Sequence, residues 1–340
     1  MRKMLLLGII FYGMVGIAFA QDSLNVDNAK DIVELGVLVD ANAPIYNVEY
    51  LANGSLVYGS AAASVAAPDA LLPIIQRGER TLAVSGDLFA SAATIGNTHN
   101  IVVYNAATGD LVLQTEPTEE TYPDLALSPD GKWLVAAGNV QRVIYLWDLT
   151  SGVRRDINET AFARVVAFNE DGSLLASGTE DGTITLYDTS SWERDQVLLG
   201  NEDDIYALAF RPGHHELIAA GSELINLWDI PTGRLLYSFV GSRGETYAAD
   251  FSPDGDLLAT GGEDTVIYLW NVETRDNLIR LEGHNNWIQG LTFSADGRFL
   301  VSGAGGFNQS GNTIRLWGLA GTQPDPVEII MPTPEPTPNQ

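Results

Sequence analysis

The chain has 340 residues, with 18 basic against 44 acidic side chains, a formal net charge of −26, and no cysteine. A balance this acidic rules against nucleic acid and anionic lipid surfaces as partners. Without cysteine there is no disulfide framework, no thiolate metal site, no cysteine nucleophile and no lipidated cysteine, so the core alone must hold the fold.

The first residues, "MRKMLLLGIIFYGMVGIAFAQDS", place Arg2 and Lys3 before an apolar run from Met4 to Phe19 and a small-x-small site at Ala18-Phe19-Ala20. This is the layout of a secretory signal peptide over residues 1–20, cleaved after Ala20, and too short for a membrane span. The mature chain then keeps 16 basic against 44 acidic residues, a formal charge of −28, with no later segment apolar enough to insert in a membrane. The expected location is secreted, periplasmic or at the cell envelope. Residues 21–30 form a short lead into the folded part.

From there the chain repeats itself. Stretches such as "SPDGDLLATGGEDTVIYLWN", "SPDGKWLVAAG" and "NEDGSLLASGTEDGTITLYD" align on Gly131, Gly172, Gly213, Gly255 and Gly297, spaced 41 or 42 residues apart. Weaker copies surround Gly54 and Gly86, giving seven. Periods of this length with strand content point to propeller blades. "SPDG" suits a type I turn between antiparallel strands. "LLATG" and "LLASG" mix aliphatic with small residues, and "TITLYD" alternates with the two-residue period of a strand. Four short strands cannot cover both their faces, so each copy needs its neighbours.

The ends "LWD" at Asp148 and Asp229, "LYD" at Asp188, "LWN" at Asn271 and "LWG" at Gly318, with Gly283-His284 ahead of the last copy, resemble the WD-repeat family. The resemblance implies an all-β fold: a seven-bladed β-propeller of four-stranded antiparallel blades over residues 31–320. The segment "DIVELGVL", residues 31–38, falls where the last blade lacks its fourth strand. An N-terminal strand there closes the ring, with "VEII" at 327–330 the competing closer. Residues 321–340 read as a Pro/Thr-rich tail, polyproline-like at its end. Prolines in "AAASVAAPDALLP" make the first blade irregular. The family's His–Ser/Thr–Asp–Trp tetrad is expected to be incomplete in every blade, since only one keeps the Gly-His pair and that blade has "GAGGFNQSGNT" where the Asp belongs.

No zinc-helix spacing joins the four histidines, and His214 and His215 fall in an exposed turn. Nucleophile elbow, phosphate loop and dinucleotide motifs are missing, and the glycines of "SGAGGFNQSG" read as a surface insertion. Three sequons stand at Asn53, Asn158 and Asn308. No catalytic, metal or cofactor residue is therefore assigned, and no enzyme activity is expected. The leading function is an exported, monomeric, non-catalytic scaffold binding a protein or peptide. The alternatives are an envelope hydrolase or lactonase-like propeller and a carbohydrate or cell-wall binding module. In WD-repeat proteins the residues ten and eight before the turn glycine fall at the channel mouth, where partners commonly bind; the one-residue longer turn of the fifth copy shifts its pair to Asp204 and Tyr206, and the shortened second copy supplies Arg80. The resemblance thus assigns partner binding to Tyr46, Arg80, Phe162, Arg164, Asp204, Tyr206, Glu245, Tyr247, Trp287 and Gln289, aromatic-rich as hot spots are.

Overall fold

A computed structural model describes residues 23–41, 44–52, 54, 56–60, 65–66, 74–77, 81–95, 98–201, 203–306 and 310–322. The expected signal segment 1–20, residues 21–22 of the lead, Arg80, the sequons at Asn53 and Asn308, "VEII" and the tail from 323 lie outside the described residues. One 3-10 turn, Ala29–Asp31, is the only helix among those described; all other regular structure is strand.

The strands form small sheets in chain order, each beginning with an inner strand that touches the inner strands on either side. Blade four shows the pattern: Ala163–Phe168 innermost, then Leu174–Thr179, Ile184–Asp188 and Glu193–Leu198, each antiparallel to the last. Blades two, three, five and six repeat it, with inner strands Leu82–Ser85, Leu125–Leu127, Ala207–Phe210 and Thr246–Phe251. Blade seven comprises Ile288–Phe293, Leu300–Ala304 and Asn312–Leu319 and takes Ile32–Ala41 as its fourth strand, paired antiparallel from Ile32↔Leu319 to Ala41↔Asn312. The N-terminal strand therefore closes the ring.

The count of seven blades is corrected to six, numbered two to seven after their sequence copies. The first copy forms a three-stranded sheet of Ile45–Tyr50, Leu56–Ser60 and Ile74–Arg77, and its last pair is parallel. After Ser60 the chain sends Val65–Ala66 to pair with Val39 and Asp40 of the closing strand, so the hairpin that would continue an antiparallel blade does not form. This stretch carries Pro68 and Pro73, two residues without a ladder donor.

The core lies between the sheets. Each junction has its own apolar cluster; between blades four and five it includes Ile184, Leu186, Ile205, Leu217 and Trp228, all at most 3% exposed. Similar clusters fill every other junction, including both sides of the three-stranded sheet. The lead contributes too: Leu24 is fully buried in the junction of blades six and seven, and its N–H donates to the Gly297 carbonyl at 2.7 Å.

The repeated turns follow from their residues. In "SPDG", the Ser128 hydroxyl donates to Asp130 and accepts the Trp133 N–H at 2.8 Å. The glycine that follows adopts φ 68° at Gly131 and 75° at Gly255, a left-handed conformation glycine reaches without a Cβ penalty. In blade seven the family's hydrogen-bond chain is complete with one replacement. Trp317 Nε1 donates to Ser302 Oγ at 2.8 Å, Ser302 reaches His284 Nε2 at 2.6 Å, and His284 Nδ1 lies 3.0 Å from Thr313 Oγ1, in the place the family pattern gives to Asp. Burial, aided by the nearby Arg315 charge, pushes the His284 pKa down to about 3, keeping this imidazole neutral. The glycines of "SGAGG" are not a surface insertion: Gly303 and Gly305 are buried, and a Cβ on Gly305 would meet the Ile45 backbone nitrogen at 2.2 Å, so they permit blade seven to press against the first sheet.

Removing residues 21–43 exposes the long strand Asn312–Leu319 and strips Leu24, Leu38 and Val39 from two junctions. The shortened protein is expected to be insoluble or to melt at least roughly 10 °C lower, while Leu38→Ala alone costs about 2–5 kcal/mol in denaturant titration. An unchanged melting temperature in the deletion would refute closure by this strand.

Candidate functional site

The inner strands of the sheets surround a channel that opens into a cavity of about 630 Å³. It runs from a mouth bearing Tyr46, Arg164, Tyr206, Tyr247 and Gln289 to the opposite face at Pro129 and Asn169. The mouth is where each inner strand begins, because Arg164, Tyr206, Tyr247 and Gln289 sit at or just before the first residues of those strands. Alternation along the strand sends their neighbours Val165, Ala207, Ala248 and Ile288 into the junctions, where all are buried.

The predicted mouth residues divide into groups. Tyr206, Tyr247 and Trp287, from three successive repeats, form one aromatic row with ring centroids 5.3 and 5.7 Å apart. All three are half-buried. Trp287 rests on a bare backbone, since a Cβ on Gly306 would lie 3.0 Å from its ring. The Tyr206 hydroxyl donates to Asp204 at 3.2 Å and that of Tyr247 to Glu263 at 3.0 Å. Burial, followed by these carboxylates and Glu245, raises both phenol pKa values, so both rings stay neutral donors. Arg164 joins the row through Asp204, 3.4 Å away, and also reaches Glu180 at 3.5 Å and Asn139 at 3.0 Å. Phe162 stands apart under the Arg142 guanidinium, 5.3 Å from its ring centroid. Tyr46 and Gln289 line the cavity.

Sequence reasoning missed the second tier. Asn139, Glu180 and Glu263 each lie eight residues after their turn glycine, so the repeat that located the mouth also carried the signal for its polar supports. Glu49, Asp124 and Asp250 were missed as well, although Glu49 and Asp250 each lie five residues before their turn glycine, Gly54 and Gly255. Asp124 accepts the Val166 N–H at 2.9 Å and Asp250 the Phe293 N–H at 2.7 Å, each tying an inner strand to the next blade. Burial raises the pKa of both to about 7, against the opposing pull of these amides. Glu49 is raised to about 8 by burial and by the charges of Asp250 and Asp124. Among the described residues no group of three or more histidines and carboxylates is placed to hold a metal ion. His214 and His215 are exposed, as expected of their turn.

Antiparallel blades arranged around a channel define a β-propeller. Residues 123–148, 160–188, 233–271 and 275–318 match the model for the WD domain, G-beta repeat. It is 32% identical over 180 residues to nuclear distribution protein nudF of Emericella nidulans, covering 52% of this chain and 34% of that protein. It is 25% identical over 227 residues to the WD repeat-containing protein 26 homolog of Drosophila melanogaster, covering 65% and 35%. Against apoptotic protease-activating factor 1 of Homo sapiens it is 32% identical over 165 residues, covering 44% and 13%. The chain thus spans about a third or less of the length of these relatives.

The three carboxylates give stability a defined pH dependence. Each has a folded pKa above its unfolded value of about 4, so the folded state holds more protons, and stability falls as pH rises through about 7 to 8. His284 acts oppositely, but only below about pH 6.5, where the unfolded imidazole begins to charge. From about pH 6.5 to about pH 9 the melting temperature should therefore drop, with each proton contributing up to about 1.4 kcal/mol per pH unit. The triple variant Glu49→Gln, Asp124→Asn, Asp250→Asn, whose amide oxygens still accept the two backbone N–H groups, should show a flatter profile. Equal slopes in the two proteins would reject this assignment.

Proposed function

We propose that this propeller is a non-catalytic scaffold that docks a protein or peptide partner on the face holding the channel mouth. The observation that carries this is the Tyr206–Tyr247–Trp287 row: three large aromatic rings held half-exposed by neighbours from three repeats. Rings that served only to fill a junction would sit among the apolar clusters, as Trp228 and Trp317 do. Rigid, partly buried aromatics at the centre of a concave face are the side chains on which interfaces concentrate their energy. Propellers of the WD-repeat family typically bind proteins, which agrees with this assignment. The scaffold is further proposed to be exported, on the strength of residues 1–20.

The double variant Trp287→Ala, Tyr247→Ala is expected to fold, with a melting temperature a few degrees lower because Tyr206 loses a ring neighbour. It should weaken capture of the partner, recovered by cross-linking from cells that make the native protein, by at least roughly 2 kcal/mol. Equal capture by the double variant would remove this face as the site. For export, fractionation with N-terminal sequencing should find the chain outside the cytoplasm and beginning at Gln21. A cytoplasmic protein that keeps Met1 would overturn the location.

A further inference from the structure

The mouth is built for charge of one sign as well as for contact. Around the aromatic row stand the carboxylates of Asp204, Glu245 and Glu263, and farther down the channel Glu49 and Asp124 line the wall. Of the described side chains lining the cavity, Arg164 alone is cationic, and Asp204, Glu180 and Asn139 already occupy it. The whole chain adds a net charge of −26.

Three ligand chemistries compete for such a face. An anionic group meets carboxylates around the row, and the one cation of the lining, Arg164, is already paired with Asp204 and Glu180. A purely apolar side chain gains area against the rings, but it strips water from Asp204, Glu245 and Glu263 without replacing those hydrogen bonds, a costly exchange for carboxylates. A cationic side chain gains from both features. Its stem covers apolar ring area, and its head meets electron-rich ring faces together with carboxylate oxygens. The cavity beneath is deep enough that the stem need not lie on the surface.

We propose that the mouth receives a basic side chain, arginine or lysine, from an extended segment of the partner, with the cationic head held between the Tyr206–Tyr247–Trp287 row and the carboxylates of Glu245 and Glu263. This rests on the mouth being the docking face, and it adds the chemical class of what docks there. It also assigns roles. The rings supply shape and cation–π attraction, the carboxylates set the sign of charge, and the Tyr247–Glu263 hydrogen bond holds ring and carboxylate in fixed relation.

The test titrates hexa-arginine amide into the mature chain by calorimetry at low salt, beside hexa-citrulline amide, a neutral peptide of nearly the same shape. Hexa-arginine should bind, with hexa-citrulline at least about tenfold weaker. Glu245→Gln with Glu263→Gln should lower the affinity for hexa-arginine about tenfold or more and flatten its dependence on salt. Tyr247→Leu with Trp287→Leu should lower it similarly, while Trp287→Phe alone, which keeps a ring face beside Tyr247 and leaves the Tyr247–Glu263 hydrogen bond in place, retains most of it. Affinity for hexa-arginine unchanged in the carboxylate and leucine variants would mean diffuse attraction to an acidic surface, and equal binding of the citrulline peptide would mean charge is irrelevant; either result overturns the proposal. If the mouth variants abolish partner capture while hexa-arginine fails to compete for it, the docking face stands and the basic class is wrong. If hexa-arginine binding depends on the mouth while partner capture does not, the cation site stands and the docking assignment fails.

Discussion

Everything in this molecule depends on the fact that a four-stranded sheet of this composition is apolar on both faces. Ile184 and Leu186 of blade four face one neighbour while Leu175 and Tyr187 face the other, and all four are at most 1% exposed. A lone blade leaves both faces in water and the end blade of an open stack leaves one, so each blade is stable only between two others, and the arrangement that gives every sheet two neighbours is a ring. The small residues of the second strand, Ala176, Ser177 and Gly178 in blade four, permit the sheets to approach closely. The twist of each sheet then turns the inner strands toward a common axis and opens a channel there.

A ring has a weak point where the chain's two ends meet, and two devices protect it. Ile32–Ala41 supplies the outer strand of blade seven, and the lead before it buries Leu24 and Ala29 in the junction of blades six and seven. The same strand also receives Val65–Ala66 from the irregular first copy. The least blade-like part of the ring is thus fastened directly to its closure. The His284–Ser302–Trp317 chain with Thr313 lies in the blade that makes this seal and in no other described blade, which places the most complete polar network where the ring is joined.

The proposed docking face follows from the same geometry. Strand alternation that fills the junctions leaves every second residue at the start of each inner strand facing the mouth, so successive repeats bring Tyr206, Tyr247 and Trp287 together although some 40 residues separate each from the next. Their partners, Glu263 above all, come from the turn after the second strand of a blade, which reaches the same rim. Contact surface and charge at the mouth are consequences of one repeat read at two offsets.

The sequence by itself determined the repeat, its turns, the antiparallel blades and the closing strand. Each of these is local or periodic: a glycine at a left-handed turn, a two-residue alternation, a copy short of one strand. It also located the mouth, because the offset from Gly172 or Gly255 is fixed by strand length. What only the tertiary structure decided are the contacts that arise when distant copies meet. The parallel pair Leu56–Ser60 and Ile74–Arg77 depends on Val65–Ala66 finding a partner in the closing strand, a choice no local pattern encodes. The burial of Gly303 and Gly305 depends on Ile45 arriving against them. The raised pKa values of Glu49, Asp124 and Asp250 depend on three sheets converging around one channel, since a carboxylate's proton affinity is set by the water it loses and the charges it meets, and neither is written in the residues beside it.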